Sequence, residues 1–128
     1  MNYLLDTHTF LWFINDDKSL TAAARALIEA PENLIVLSFA SLWEIAIKVS
    51  LGKLAVPMPF SEFIATQLDK NKIALSGFSV EHFDELATLP FHHRDPFDRM
   101  IIAYALFEKV AVIGKDEVFD TYGVKRLW

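Results

Sequence analysis

Residues 89–113 read LPFHHRDPFDRMIIAYALFEKVAVI, a helix signal followed at once by a strand signal. Pro96 suits the first helical position, because its missing N–H would have no intrahelical partner there. Asp95 is then the expected N-cap, and Asp98 falls in the first turn. Ile101, Ile102, Ala105 and Leu106 recur at the 3.6-residue period of a helix with a buried stripe. The spacing predicts a helix from Pro96 to about Glu108, with the apolar strand AVI at 111–113 after it. An apolar, non-alternating strand fed by a helix is what a parallel sheet covered on both faces requires.

The same alternation extends in both directions from this stretch. Upstream, strands are expected at 2–5, 34–37 and 73–75, each short and apolar. Helices are expected at 10–14, 21–30, 38–50, 61–70 and 79–87, the last two opened by Ser caps. Asp6-Thr7-His8-Thr9 reads as a loop between the first strand and its helix. Downstream, a fifth strand is expected at 124–127. Strands alternating with helices give an α/β fold with a mainly parallel sheet.

The chain has 128 residues, 53% of them apolar, with 11 Phe and 3 Trp. That is one domain, residues 1–128, with enough apolar mass for a real core. No apolar run approaches the roughly 20 residues of a membrane span, and MNYLLD lacks the basic start of a signal peptide. There is no cysteine, hence no disulfide framework and no thiolate metal site. A cytoplasmic protein is the simplest expectation. The net charge of −5 argues against a general nucleic-acid binder, but leaves room for basic residues around an acidic centre.

Topology decides where the acids lie. Asp6 follows the first strand, and Asp116 follows the fourth. Glu44 is about a turn into the helix that leaves the second strand. A helix joining parallel strands begins at their carboxyl edge, which brings Asp95 and Asp98 to that edge too. Asp6, Glu44, Asp95, Asp98 and Asp116 are thus expected at one rim, where ligands bind in such sheets. Within the last pair, Asp95 is expected to cap the helix. Asp98 is expected to face the end of the first strand.

Carboxylates gathered at one place repel one another, and a divalent cation relieves the repulsion. Oxygen-only donors select hard ions, Mg²⁺ or Mn²⁺, which work on phosphate esters. Each acid also has an ordinary reading. Asp6 and Asp116 could cap turns, and Glu44 could close a capping box with Ser41. His92 and His93 read as loop residues, Trp12 and Trp43 as core. A haloacid-dehalogenase-like phosphatase would want an acid where His8 stands. A receiver-like phosphoacceptor domain does not explain Glu44 or the Asp95/Asp98 pair.

Four blocks in order resemble one family. They are Asp6-Thr7-His8; Ser41-Leu42-Trp43-Glu44-Ile45 with Lys48 and Gly52-Lys53-Leu54; His93-Arg94-Asp95-Pro96-Phe97-Asp98-Arg99; and Asp116 ahead of Tyr122-Gly123-Val124. Together they resemble the PIN domain, in particular its VapC toxin branch, almost end to end. The resemblance implies a three-layer α/β/α domain whose central five-stranded sheet has the order 3-2-1-4-5. It implies a Mg²⁺-dependent endoribonuclease, with Mn²⁺ able to substitute. The acids that hold metal and act in catalysis would be Asp6, Glu44, Asp98 and Asp116, with Asp95, Thr7 and Arg99 as secondary candidates. Lys48, Lys53, Arg94 and Lys115 would meet the RNA backbone. Such proteins are usually toxins, paired as homodimers and held inactive by a small antitoxin. Gly114 departs from the pattern, since relatives commonly carry Thr or Ser there. A PIN-like module that binds RNA or protein without catalysis is the alternative; its mark would be a missing acid, and none is missing.

Overall fold

Asn2–Leu5, Leu34–Ser38, Ile73–Ser76, Ala111–Ile113 and Arg126–Leu127 form strands β1 to β5. In the computed structural model, which describes residues 1–128, all of them pair in parallel, in the order β3-β2-β1-β4-β5. Leu5 stands level with Leu37 on one side and Ile113 on the other. The residues that follow these three therefore emerge side by side at the carboxyl edge.

Between the strands run α1 (Thr7–Ile14), α2 (Ala22–Glu29), α3 (Phe39–Ser50), α4 (Phe60–Lys70), α5 (Val80–Ala87), α6 (Pro96–Glu108) and the single turn α7 (Val118–Thr121). Strand side chains alternate between two cores. Tyr3, Leu5, Ile35, Leu37 and Ile113 meet Phe10 and Leu11 of α1, Ala24 and Ile28 of α2, and Ile64 of α4. Leu4 and Val112 meet Met100, Ile101, Ile102 and Ala105 of α6, together with Phe119 of α7. The result is helix, sheet, helix in three layers. Burying each of these large side chains contributes about 1.5–3 kcal/mol.

Several boundaries differ from the sequence expectation, each for a local reason. Residues 6–9 are not a loop. Asp6 is itself the N-cap of α1, with Thr7 already helical, because one extended residue suffices for the strand-to-helix turn. Ser38 caps α3 by accepting from the N–H of Ala40 at 3.1 Å, so that helix starts one residue later than expected. Ser61 caps nothing: Pro59 occupies the N-cap of α4. Ser79 does cap α5, in a box closed by His82, whose Nδ1 accepts from the Ser79 N–H at 2.8 Å. β5 starts at Arg126, because the N–H of Val124 closes the α7 turn onto the Phe119 carbonyl.

Trp43 is not core. It is 49% exposed, on the face of α3 opposite Ile45, against Phe39 and Phe97. Trp12 is half-buried against the first core. No helix is long and apolar enough to cross a membrane.

Candidate active site

β1 delivers Asp6 to the carboxyl edge. Its backbone N–H continues the sheet by donating to the Ile113 carbonyl at 3.1 Å. Its side chain is only 5% exposed. Oδ1 accepts from the Thr7 N–H at 2.8 Å, as a cap should. Oδ2 is turned toward Gly114, the residue that follows Ile113. A Cβ at Gly114 would stand 3.1 Å from the Asp6 Cβ and 3.6 Å from Oδ2. The missing side chain at 114 thus lets the Asp6 carboxylate lie against the end of β4. Burial pushes the Asp6 pKa up to about 7, helped by the charges of Glu44, Asp116 and Asp95 and opposed by the Thr7 N–H.

α6 separates its two acids. Asp95 is exposed and accepts at Oδ1 from the N–H groups of Phe97 (2.9 Å) and Asp98 (3.0 Å). Its carboxylate is spent on the helix end. Asp98 lies further in, half-buried, with its pKa raised to about 8. Burial is the largest cause, followed by repulsion from Asp6, then Asp95, Glu44 and Asp116.

Glu44 is 8% exposed on α3. Lys48, one turn on, reaches its Oε2 at 3.3 Å, while Oε1 is buried without a hydrogen-bond partner. The capping box with Ser41 does not form. Ser41 Oγ instead accepts from the hydroxyl of Thr7 at 2.8 Å, tying α3 to α1 directly behind Asp6. Asp116 is exposed and makes the ordinary turn-capping contact, accepting from the Val118 N–H at 3.0 Å. It still contributes repulsion to both Asp6 and Asp98.

Arg99 points elsewhere. Its guanidinium donates to the carbonyls of Pro90 (2.8 Å) and Leu89 (3.1 Å) and to the Tyr122 hydroxyl (3.2 Å), and stacks on Phe91. It fastens the loop before α6 to α7. Arg94 and Lys115 are exposed beside Asp95 and Asp116. Lys53 is exposed beyond the end of α3, roughly 10 Å or more along the helix axis from Glu44. His93, read from the sequence as a plain loop residue, stands with Nε2 3.5 Å from Asp98 Oδ2 and Nδ1 3.0 Å from the Tyr122 hydroxyl. Sequence spacing holds no signal for that pairing, since Tyr122 arrives from the far side of β4.

The donor set suits a hard divalent cation. It is all carboxylate, one oxygen of Glu44 is buried without a partner, and Asp6 and Asp98 are held above their ordinary range first by burial and then by the charges of neighbouring acids. In the side-chain positions present, no three His, Asp or Glu converge closely enough to share one ion.

The family model of the PIN domain matches residues 3–125. Ribonuclease VapC16 of Mycobacterium tuberculosis is 40% identical over 58 residues, which is 45% of this chain and 40% of that protein. Among solved structures, VapBC2 from Rickettsia felis, crystallised bound to a DNA fragment from its promoter, superposes with a TM-score of 0.72 at 17% identity. That match covers 99% of this chain and 98% of that one. FitAcB from Neisseria gonorrhoeae gives 0.63 at 15% identity, covering 98% of this chain and 96% of that one. At these identities the structural likeness shows a shared fold.

Proposed function

Because the chain belongs to the PIN domain family, we propose that it is a divalent-metal-dependent endoribonuclease of the VapC kind, the toxin of a toxin–antitoxin pair in the cytoplasm. The observation that carries the reading is the pair of buried Asp6 and half-buried Asp98, drawn to one sheet edge from β1 and α6 and each raised in pKa, first by burial and then by the charges of neighbouring acids. Such a pair is costly to a fold with no ligand, and clusters of this kind mark functional sites.

Asp6, Glu44, Asp98 and Asp116 would hold the ion, Mg²⁺ or Mn²⁺. When bound, it supplies Lewis acidity that neutralises charge on a phosphodiester and eases deprotonation of a water beside it. The chain's own part is positional. The Thr7 N–H fixes one oxygen of Asp6 and leaves the other free toward Gly114. Lys48 steadies one oxygen of Glu44 and leaves the other unpartnered. Asp95 secures the first turn that presents Asp98. Arg94 and Lys115, exposed next to the rim, would meet backbone phosphates, contacts that position RNA but carry no base code. A cognate antitoxin would inhibit by offering a basic side chain to the same carboxylates.

The test is cleavage of structured RNA by purified protein. Activity should need Mg²⁺ or Mn²⁺, stop with EDTA and vanish in Asp98→Asn. Equal cleavage with and without chelator would refute the metal-dependent mechanism. Expression alone should slow growth of a bacterial host, and co-expression of the adjacent small gene should relieve it. Harmless expression of an active enzyme would remove the toxin role and leave the nuclease.

A further inference from the structure

Tyr122 reaches from α7 into the loop before α6 with a crowded hydroxyl. The backbone N–H groups of His92 (3.0 Å) and His93 (3.2 Å) both donate to it, as does Nη1 of Arg99 (3.2 Å). Each of these groups can only donate, so the phenolic oxygen is the acceptor in every case. Its own proton has one acceptor within reach, Nδ1 of His93 at 3.0 Å. A neutral imidazole that accepts at Nδ1 carries its proton on Nε2. That Nε2 is buried, makes no hydrogen bond, and stands 3.5 Å from Oδ2 of Asp98. The distance is longer than a made hydrogen bond, and a small rotation of the carboxyl would close it.

We propose that His93 is a positioning residue for Asp98: Tyr122 fixes its tautomer, and its Nε2–H holds Oδ2 so that Oδ1 is presented to the rim. This role rests on Asp98 being one of the acids that hold the metal. It assigns work to a histidine that the carboxylate pattern alone leaves idle, and it explains why Tyr122 and Arg99 converge on this loop. Partners of this kind, one shell behind a metal ligand, orient it and tune its basicity.

Two measurements decide it. Nitrogen NMR of the ¹⁵N-labelled, metal-free protein at pH 8 should show His93 with an unprotonated Nδ1 and a protonated Nε2. In Tyr122→Phe this preference should relax toward a mixture; should that variant not fold, the wild-type spectrum alone tests the tautomer. Mn²⁺ titration by calorimetry should show His93→Phe binding about 10–100-fold more weakly than wild type, the usual cost of losing such a partner. His93→Gln, which keeps an N–H donor at similar reach, should recover most of that loss. A proton found on Nδ1 overturns the proposal, and so does Mn²⁺ affinity unchanged in His93→Phe. If wild type itself binds no Mn²⁺, the metal site falls, and the positioning role falls with it. Binding by wild type that is merely insensitive to His93 removes this role alone.

Discussion

Asp98→Asn should make the metal-free protein more stable while abolishing cleavage. The native pKa of Asp98 is raised from 3.8 to about 8 by burial and by four neighbouring acids. The native state therefore holds this proton more tightly than the unfolded chain does. Stability linked to Asp98 is fully present below the unfolded value and is lost as pH climbs through about 8. Each tenfold change in an ionisation constant is about 1.4 kcal/mol, so the displacement amounts to about 5 kcal/mol at pH 8 if taken whole. The side chain is 22% exposed, and its field is partly screened by solvent. About 2 kcal/mol is the realistic share. Asn keeps the shape and never ionises, so the substitution recovers that share at pH 8 and almost none near pH 4. For a chain of this size that is a rise in Tm of about 6–10 °C. Thermal unfolding followed by circular dichroism in EDTA, at pH 4.5 and pH 8, measures it directly. Adding Mn²⁺ should raise the wild-type Tm and leave the variant unmoved, so the ranking of the two reverses. A variant less stable than wild type at pH 8 in EDTA, by an amount that does not change with pH, would refute the reasoning. Asp98 would then be a satisfied structural acid.

Asp95→Ala removes the cap on the N–H groups of Phe97 and Asp98. It should cost about 1 kcal/mol in denaturant unfolding while leaving measurable cleavage. Gly114→Ala puts a Cβ 3.1 Å from that of Asp6, which must shift to accommodate it. A displacement of this kind should lower kcat by about tenfold or more with a small change in Tm, read from single-turnover RNA cleavage. Arg99→Lys cannot reproduce the fork that reaches Pro90, Leu89 and Tyr122 together. It should lose about 2 kcal/mol of stability in urea, leaving the buried Leu89 carbonyl short of a partner. The apparent Mn²⁺ affinity of wild type should strengthen as pH rises from 6 to 8, because Asp6 and Asp98, with pKa values near 7 and 8, must ionise to bind. Isothermal titration at several pH values checks this, and a flat profile would contradict it.

How much of this was legible beforehand varies with the range of the interaction. The α6 start was readable because capping is local: Pro96 fixes φ, Asp95 supplies the cap oxygen, and Asp98 follows in the first turn. The α/β class was readable because apolar strands and 3.6-period helices leave their periods in the chain. The expectation that the acids gather at one edge came from topology alone, since helices between parallel strands begin where the strands end. The strand order came from resemblance to a family, and the parallel pairing β3-β2-β1-β4-β5 agrees with it.

Other features belong to the tertiary structure. Which acids are spent and which are free depends on hydrogen bonds made across the fold. Ser38 caps α3 and leaves Ser41 inside the helix, bonded to Thr7 34 residues away, so the capping box at Glu44 never forms, and one Glu44 oxygen is left unpartnered. Arg99 sits next to Asp98 in sequence, yet turns to the Leu89 and Pro90 carbonyls, because side chains at adjacent helix positions point about 100° apart. Trp43 reads as core by type, but lies on the open face of α3 because Ile45 takes the inward one. The sequence by itself determined the succession of elements and the fold class, because these rest on local propensity and on hydrophobic period. Only the tertiary structure decided burial, the pKa values it raises, and the His93–Tyr122 contact, because those depend on groups that the chain brings together from far apart.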